Sequence, residues 1–194
     1  MAADPKKVQE TKRRLRDAFF SIYKEKRIDK IGIREITDKA GFNRGTFYIH
    51  YRDIYDLLEQ TEDELIRVLS LFADNIMSAV FHGGDIQNAM PPKAFFDQYG
   101  TYMKVLVGPN GDPSFVERLR KFIKELFFRE AKDQITDMKQ AEYVFEYISS
   151  AQLGLLTYWF QKDMEMPAPQ LAKMIQTLMT YGPMKLLSAK PEPV

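Results

Sequence analysis

The sequence predicts an all-α protein with a short helical head and a larger helical body. Apolar residues recur at helical spacing along almost all of the 194 residues, without the alternation typical of β-strands. Segments 82–85 and 108–113, which contain Gly and Pro, interrupt this pattern and separate the later helices. Residues 1–52 carry 14 Lys and Arg against 7 Asp and Glu, whereas the remainder carries 14 against 20. This excess of positive charge predicts that the head meets a polyanion.

The head begins with a helix predicted over residues 6–26, whose first half is crowded with basic side chains. Lys7 lies in this basic half, and we expect it to lie along a phosphate backbone. An ordinary solvated basic helix would have the same composition. The motif that follows it favours phosphate binding.

Two short helices are predicted next, over residues 33–40 and 44–51. Gly41 supplies the positive φ at which a helix ends, and Asn43 offers a side-chain cap for the next helix. Phe47 and Tyr51 are four residues apart and are expected to be buried together, which turns Thr46, Ile49 and His50 outward. This pattern is typical of a helix-turn-helix, whose second helix enters the major groove of DNA. A plain corner between two helices would share the glycine and the cap.

The stretch 40–58, AGFNRGTFYIHYRDIYDLL, resembles the signature of the tetracycline-repressor (TetR) family of bacterial regulators. The resemblance covers residues 8–60 closely and the remainder only as an all-helical pattern of suitable length. It implies a DNA-binding transcriptional regulator, and in this family most often a repressor that a small molecule releases from a palindromic operator. The residues that carry the signature are Ala40, Gly41, Phe42, Gly45, Thr46, Phe47, Tyr48, Tyr51, Leu57 and Leu58.

DNA contacts are predicted from the first helix, the motif and the residues that follow it. Lys7, Tyr48 and Arg52 are expected to contact phosphates, which set the register, while the other side chains face the bases. His50 could instead contact a phosphate or cap its own helix. The predicted DNA-binding set is Lys7, Arg34, Asn43, Arg44, Gly45, Thr46, Tyr48, Ile49, His50 and Arg52.

Two positions depart from the family pattern. Members commonly carry a phosphate-contacting lysine near the start of the fourth helix, where this chain has Ile54, and Arg52 is the residue that could replace its charge. The family favours threonine as the cap of the first motif helix, whereas this chain has Gly32, a permissible cap without a side chain. Neither departure removes the predicted fold.

The body is predicted to span residues 53–190 and to begin with a long helix over 53–80, capped by Asp53. Most of the Met and Phe residues of the chain lie here, and such side chains suit an adaptable cavity for a small apolar or aromatic ligand. Core packing explains each of them equally well. The predicted ligand-binding pool is Phe72, Tyr99, Tyr102, Met103, Phe122, Phe127 and Tyr147.

The last two predicted helices, over 138–162 and 169–187, resemble the pair through which family members form homodimers. The small residues Ser149, Ser150, Ala151 and Gly154 would allow a close approach of two helices. Leu155, Tyr158 and Trp159 are expected to anchor the contact. A monomer core could use the same apolar stripes. The predicted partners are thus a double-stranded DNA operator and a second copy of the chain.

Other classes of function find little support in the sequence. The chain has no cysteine and two histidines, neither of them three residues after a glutamate, so no metal, cofactor or catalytic residue is predicted. No uninterrupted apolar run reaches the ~20 residues that cross a bilayer, and the N-terminus does not resemble a secretory signal, so a cytoplasmic protein without a membrane partner is expected. An activator, or a regulator that responds to a partner protein without a small-molecule inducer, is the alternative to a ligand-released repressor.

Overall fold

The computed structural model describes residues 4–188, within which ten α-helices, one short 3-10 turn and no β-strand are found. The all-α prediction is confirmed. The first and last residues of the predicted domains, 1–3 and 189–190, lie outside the described residues. The helices are α1 (Pro5–Tyr23), α2 (Ile33–Ala40), α3 (Arg44–His50), α4 (Ile54–His82), α5 (Ile86–Ala89), α6 (Lys93–Leu106), α7 (Pro113–Ala131), α8 (Met138–Gln161), α9 (Ala168–Tyr181) and α10 (Pro183–Ser188), and the 3-10 turn is Ile28–Lys30.

The helices form two compact units. The first unit contains the residues up to Val68 together with Tyr99–Val116, and the second contains Leu69–Gln98 and the residues from Glu117 onwards. Helices α4, α6 and α7 each contribute to both units. The predicted boundary between residues 52 and 53 is a division of function, between DNA binding and regulation, and it stays a prediction.

The first unit is built around the apolar face of α1. Leu15, Phe19 and Phe20 are completely buried, and their spacing of one and four residues places them on one side of the helix. Phe20 stacks on the ring of Tyr102 from α6, with ring centroids 4.5 Å apart. Leu57 at the start of α4 is also fully buried. The first unit, which contains the head, thus has its own core, and this core positions the motif helices.

Polar side chains also hold α6 against α1 and α4 within this unit. The Tyr99 hydroxyl donates a hydrogen bond to Glu64 Oε1 at 2.8 Å, and Arg16 of α1 forms an ion pair with the same carboxylate. The Tyr102 hydroxyl donates to Asp17 of α1. Burial, reinforced by the hydrogen bond to Glu64, raises the pKa of Tyr99 to about 12. Burial and the Asp17 carboxylate raise the pKa of Tyr102 in the same direction.

Aromatic contacts and small residues form the core of the second unit. Phe127 lies 5.2 Å from Phe81 and 5.4 Å from Phe145, measured between ring centroids. Ala79, Ile86, Ala89 and Ala172 form a separate buried cluster where α5 meets α9. The four-residue helix α5 was not predicted, because the sequence showed only a break there. Asp85 caps it by accepting from the Gln87 N–H at 2.9 Å.

Trp159 differs from its prediction. The sequence placed this side chain in the dimer contact, but it is only 4% exposed and serves the core of its own unit. Its Nε1–H donates to the Met166 carbonyl at 2.7 Å, and its ring lies 5.4 Å from that of Phe96. The prediction that Trp159 anchors a dimer is therefore wrong, because almost all of the side chain is buried within its own chain and cannot contact a second copy.

Helix α4 is long and apolar enough, by length and composition, to cross a bilayer. Only 17% of its most apolar stretch is buried within the structure. One such helix is weak evidence for a membrane span, because core helices of soluble proteins can have the same length and composition. The expectation of no membrane partner stays a prediction.

Substituting Tyr102 tests the link between α6 and α1. Tyr102→Phe keeps the ring on Phe20 but removes the hydroxyl that donates to Asp17, so we expect the free energy of unfolding to fall by about 1 kcal/mol. Because the Tyr102 pKa is raised above its ordinary value of 10.0, the phenol stabilises the fold below that pH and the contribution is lost as the pH rises through the folded pKa. Urea unfolding at neutral and alkaline pH should show a smaller alkaline loss in the variant. Tyr55→Phe, at an exposed tyrosine, is the control, and equal alkaline losses in Tyr102→Phe and wild type would contradict the assignment.

Candidate DNA-binding surface

The turn between α2 and α3 has the geometry that the sequence predicted. Gly41 is left-handed, with φ 72° and ψ 35°, and its N–H donates to the Asp38 carbonyl at 3.2 Å. The Phe42 N–H donates to the Thr37 carbonyl at 2.9 Å, so the last carbonyls of α2 have partners. Gly32 precedes α2 without a side-chain cap, as expected for glycine.

Arg14 of α1 stabilises this turn through two contacts. Its Nη2–H donates to the Ala40 carbonyl at 2.7 Å, and its guanidinium lies 4.6 Å from the centre of the Phe42 ring. A Cβ on Gly41 would come within 2.9 Å of Arg14 Nη2. The left-handed backbone conformation is what favours glycine here, and a side chain would in addition displace the end of the Arg14 side chain.

Asn43 caps α3 as predicted. Its Oδ1 accepts hydrogen bonds from the Thr46 N–H at 2.9 Å and from the Thr46 hydroxyl at 3.2 Å. A Cβ on Gly45 would lie 3.1 Å from the same oxygen, so a side chain at this position would have to displace the cap slightly. The Thr46 hydroxyl proton is used in this cap, so its hydroxyl oxygen can only accept further hydrogen bonds and its methyl group can make apolar contacts.

Helix α3 divides into a buried and an exposed side. Phe47 is completely buried and Tyr51, which directly follows the helix, is 3% exposed. Ile49 is 77% exposed and Tyr48 is 50% exposed. Arg44 and Gly45 are also exposed, one turn before Tyr48 and Ile49. We call these four residues, Arg44, Gly45, Tyr48 and Ile49, the outward face of α3.

Thr46 and His50 lie beside the outward face and are half-buried, less exposed than the sequence predicted. Burial lowers the pKa of His50, and the nearby positive charge of Lys12 acts in the same direction. Lys12 itself donates to Gln60 Oε1 at 3.1 Å and lies 5.5 Å from the Tyr51 ring centre. Lys12 is a cation near the motif that the predicted set omitted, although the basic cluster of the first helix contained it.

The remaining predicted cations are exposed, and two of them carry carboxylate partners. Arg34 lies 3.6 Å from Asp38, with 86% of its side chain exposed. Arg52 lies 3.3 Å from Asp56, with 80% of its side chain exposed. The backbone N–H of Arg52 also donates to Asp56 at 2.8 Å, and this bond is the main reason that the Asp56 pKa lies below its ordinary value.

Other basic residues of α1 form ion pairs within the first unit. Arg13 pairs with Glu10 and Asp17, at 2.7 and 2.8 Å, and Arg16 pairs with Glu64. Lys7 is exposed at the start of the helix, in line with its prediction as a backbone contact. Ile54, which stands where the family has a lysine, is 9% exposed and belongs to the core.

The predicted ligand-binding residues divide between the two units. Tyr99, Tyr102 and Met103 are buried in the first unit. In the second unit, Phe127 packs among aromatic rings, Phe72 packs against Phe95, Phe122 is half-buried, and Tyr147 is 67% exposed. None of the seven lines either of the two clefts described next. The ligand-binding pool stays a prediction.

The first cleft, of about 360 Å³, lies within the first unit between Tyr23, Arg27, Tyr55 and the segment 109–113. The second, of about 350 Å³, lies within the second unit and is lined mainly by polar side chains, among them Asn75, His82 and Asp85. Within residues 4–188 no group of three or more His, Asp or Glu side chains is placed to hold a metal ion.

Comparisons with known proteins bear on both parts of the chain. Residues 93–181 match a TetR-type family model described as "Transcriptional regulator C-terminal region". A solved structure described as a TetR transcriptional regulator from Streptococcus agalactiae 2603V has the same fold, with a TM-score of 0.54. The two chains are 20% identical, and the superposition covers 90% of this chain and 96% of the other. No match was found among curated proteins.

Substituting Gly41 tests the turn that orients α3. Gly41→Ala must hold a left-handed conformation and approach Arg14, so we expect a loss of about 1–3 kcal/mol in the free energy of unfolding. Gly32→Ser is the matched control, because no atom lies within 4 Å of an added Cβ there. It should change stability by only a few tenths of a kcal/mol. Chemical denaturation measures both, and equal stability of the two variants would show that the turn does not constrain the motif.

Proposed function

We propose that the chain is a transcriptional regulator of the TetR family, which the family match of residues 93–181 and the shared fold support. In this proposal it is a homodimeric repressor released from a near-palindromic operator by a small apolar or aromatic ligand. The observation that carries the DNA-binding part is the outward face of α3, which stays exposed because Phe47 and Tyr51 are buried behind it. A solvent-exposed helix face with an arginine at its N-terminal end is suited to the major groove. Such a regulator acts on DNA in the cytoplasm.

Phosphate and base contacts are assigned to different residues. Lys7 and Arg52 contact phosphates and set the register of the head on the duplex. Tyr48, for which the sequence predicted a phosphate contact, instead lies beside Arg44, whose Nη2–H donates to its hydroxyl at 3.0 Å. The side chains that face the bases are led by Arg44, which can pair with guanine, and Ile49, which can contact a thymine methyl group. Arg34, Thr46 and His50 complete the set, while Asn43 and Gly45 shape the N-terminus of α3.

An exposed stripe on α8 supports the homodimer. Tyr143, Tyr147, Ala151, Gly154 and Tyr158 recur at spacings of three and four residues and are all exposed. Small residues in the middle allow the backbones of two helices to approach, and the tyrosines at each end supply apolar area. Two copies joined through α8 and α9 would present two recognition helices to half-sites roughly 34–36 Å apart.

Ligand release requires that the ligand bind one arrangement of the two heads better than the other. The alternative is an activator, or a regulator controlled by a partner protein without a small-molecule inducer. The close packing of Phe127 with Phe81 and Phe145 favours it, because these ring contacts use the Phe127 side chain within the core. The two are separated by screening compounds for loss of DNA binding. A compound that dissociates the complex supports the repressor, and an inert panel supports the alternative.

The deciding experiment is binding of the purified protein to the DNA upstream of its own gene, across a series of salt concentrations. Specific binding to a near-palindrome, weakened linearly in the logarithm of salt, supports the regulator. The same affinity for that DNA and for random duplex moves the operator to another locus, which selection from a random DNA pool then identifies.

Replacing Arg44 should weaken DNA binding without weakening the fold. Arg44→Ala removes a side chain exposed in the first turn of α3, where the helix dipole disfavours a cation, so the melting temperature should stay unchanged or rise slightly. Specific DNA binding should weaken by about 1–3 kcal/mol. Fluorescence anisotropy with labelled operator measures this loss. Arg27→Ala, at an exposed arginine outside the motif, is the control, and equal affinities of the two variants would contradict the assigned groove face.

A charge placed in the α8 stripe should separate the dimer. Ala151→Lys puts an ammonium group in the middle of the proposed contact, where burial without a partner is costly. Sedimentation analysis should then give the 22.7 kDa of one chain, whereas wild type gives twice this mass. Glu142→Lys, on a different side of α8, is the matched control and should remain dimeric. A dimeric Ala151→Lys variant would place the interface elsewhere.

A further inference from the structure

Arg44 differs from the other exposed arginines of the motif in what it contacts. Arg34 and Arg52 each lie beside a carboxylate, at 3.6 and 3.3 Å. Among the described residues Arg44 has no carboxylate partner, and the first turn of α3 contains no acidic residue. Its charge is therefore not neutralised by a carboxylate of the described residues. It is available to negative charges or hydrogen-bond acceptors of a ligand.

The Arg44 guanidinium is nevertheless held in place by a neutral group. Its Nη2–H donates to the Tyr48 hydroxyl oxygen at 3.0 Å, and its carbon lies 5.7 Å from the centre of the Tyr48 ring. The two residues are four apart, so they are neighbours on the outward face of α3. Arginine has five N–H donors in a fixed planar fork, and the bond to Tyr48 uses one of them. The remaining donors keep their geometry and stay free.

We propose that Tyr48 is a positioning residue for Arg44, and that the pair reads a guanine in each half-site of the operator. Guanine offers two acceptors, O6 and N7, in the major groove, and a planar fork satisfies both at once only in the correct orientation. An exposed arginine samples many rotamers, and ordering it opposes binding. The Tyr48 hydroxyl reduces that cost before DNA arrives. The inference rests on the proposed DNA-binding function and adds which base is read and how.

A positioning role predicts a loss of discrimination that a phosphate contact does not. If Tyr48 held only a phosphate, its hydroxyl would add affinity for every sequence alike. If it orients Arg44, removing the hydroxyl leaves the charge on Arg44 and hence the affinity for random duplex. What falls is the ratio between the guanine-containing site and the same site with adenine at that position.

The test begins with selection of bound sequences from a pool of duplex DNA with a randomised centre, using the full-length wild-type protein. Affinities are then measured for the selected site and for the guanine-to-adenine site. We expect wild type to prefer guanine by roughly 10–100-fold, the value of a bidentate pair, and Tyr48→Phe to reduce that preference by about 2–10-fold, the loss of one hydrogen bond. Affinity for random duplex should not change. Tyr55→Phe, at another exposed tyrosine of the first unit, should leave both values at the wild-type level.

A double-mutant cycle makes the assignment specific to the pair. Arg44→Lys keeps the charge but lacks the planar fork, so it should lose the guanine preference and retain binding to random duplex. Tyr48→Phe added to Arg44→Lys should then have no further effect on the preference, because the side chain that it positions is gone.

The possible failures are distinguishable. A wild-type protein that selects no common sequence overturns the proposed function and this inference with it. A wild-type protein that selects a half-site, while Tyr48→Phe keeps the full guanine preference or weakens binding to all sequences equally, overturns the inference alone. A guanine preference that survives in Arg44→Lys assigns the base to another residue and likewise overturns it.

Discussion

The burial of Phe47 and Tyr51 is the constraint on which the recognition surface depends. Helix α3 has seven residues, and isolated helices shorter than ~12–15 residues are marginal in water. The helix is therefore maintained by packing of these two rings, which lie 5.5 Å apart and are almost completely buried. Because a helix turns by a fixed angle per residue, burying this side leaves Arg44, Tyr48 and Ile49 exposed. The outward face is thus a geometric consequence of the core of the head.

The positive charge of the head serves two purposes that the structure separates. Arg14 supports the turn at Ala40, and Arg16 joins α1 to Glu64 of α4, so these arginines build the head. Arg44 has only a neutral partner among the described residues, and Lys7 is exposed at the start of α1. The net charge of the first 52 residues therefore overstates how many cations are available to phosphate. The salt dependence of DNA binding would reflect the available cations alone.

Local rules were sufficient for the motif and insufficient for the pairing of charges. Gly41, Asn43 and the buried pair Phe47 and Tyr51 were predicted correctly, because a left-handed turn, a cap and a four-residue spacing each involve neighbours in sequence. The ion pair of Arg16 with Glu64 joins residues 48 apart, and no spacing rule identifies it. The same limit applies to the aromatic pool: helical spacing shows that a side chain faces inward, but not whether it meets a cavity or another ring. Trp159 was misassigned for this reason.

At position 44, the residue type that would stabilise helix α3 differs from the one that suits the proposed DNA contact. A cation in the first turn of a helix opposes the dipole, and an acidic residue there would favour the fold. The chain has no acid in that turn, and it holds the arginine with a tyrosine hydroxyl instead of a carboxylate. A carboxylate partner would neutralise the guanidinium and compete with DNA for its donors, whereas a hydroxyl orients it and leaves its charge intact. A cation in the first turn disfavours the helix, and the proposed contact of Arg44 with DNA gives a reason for this residue that folding does not.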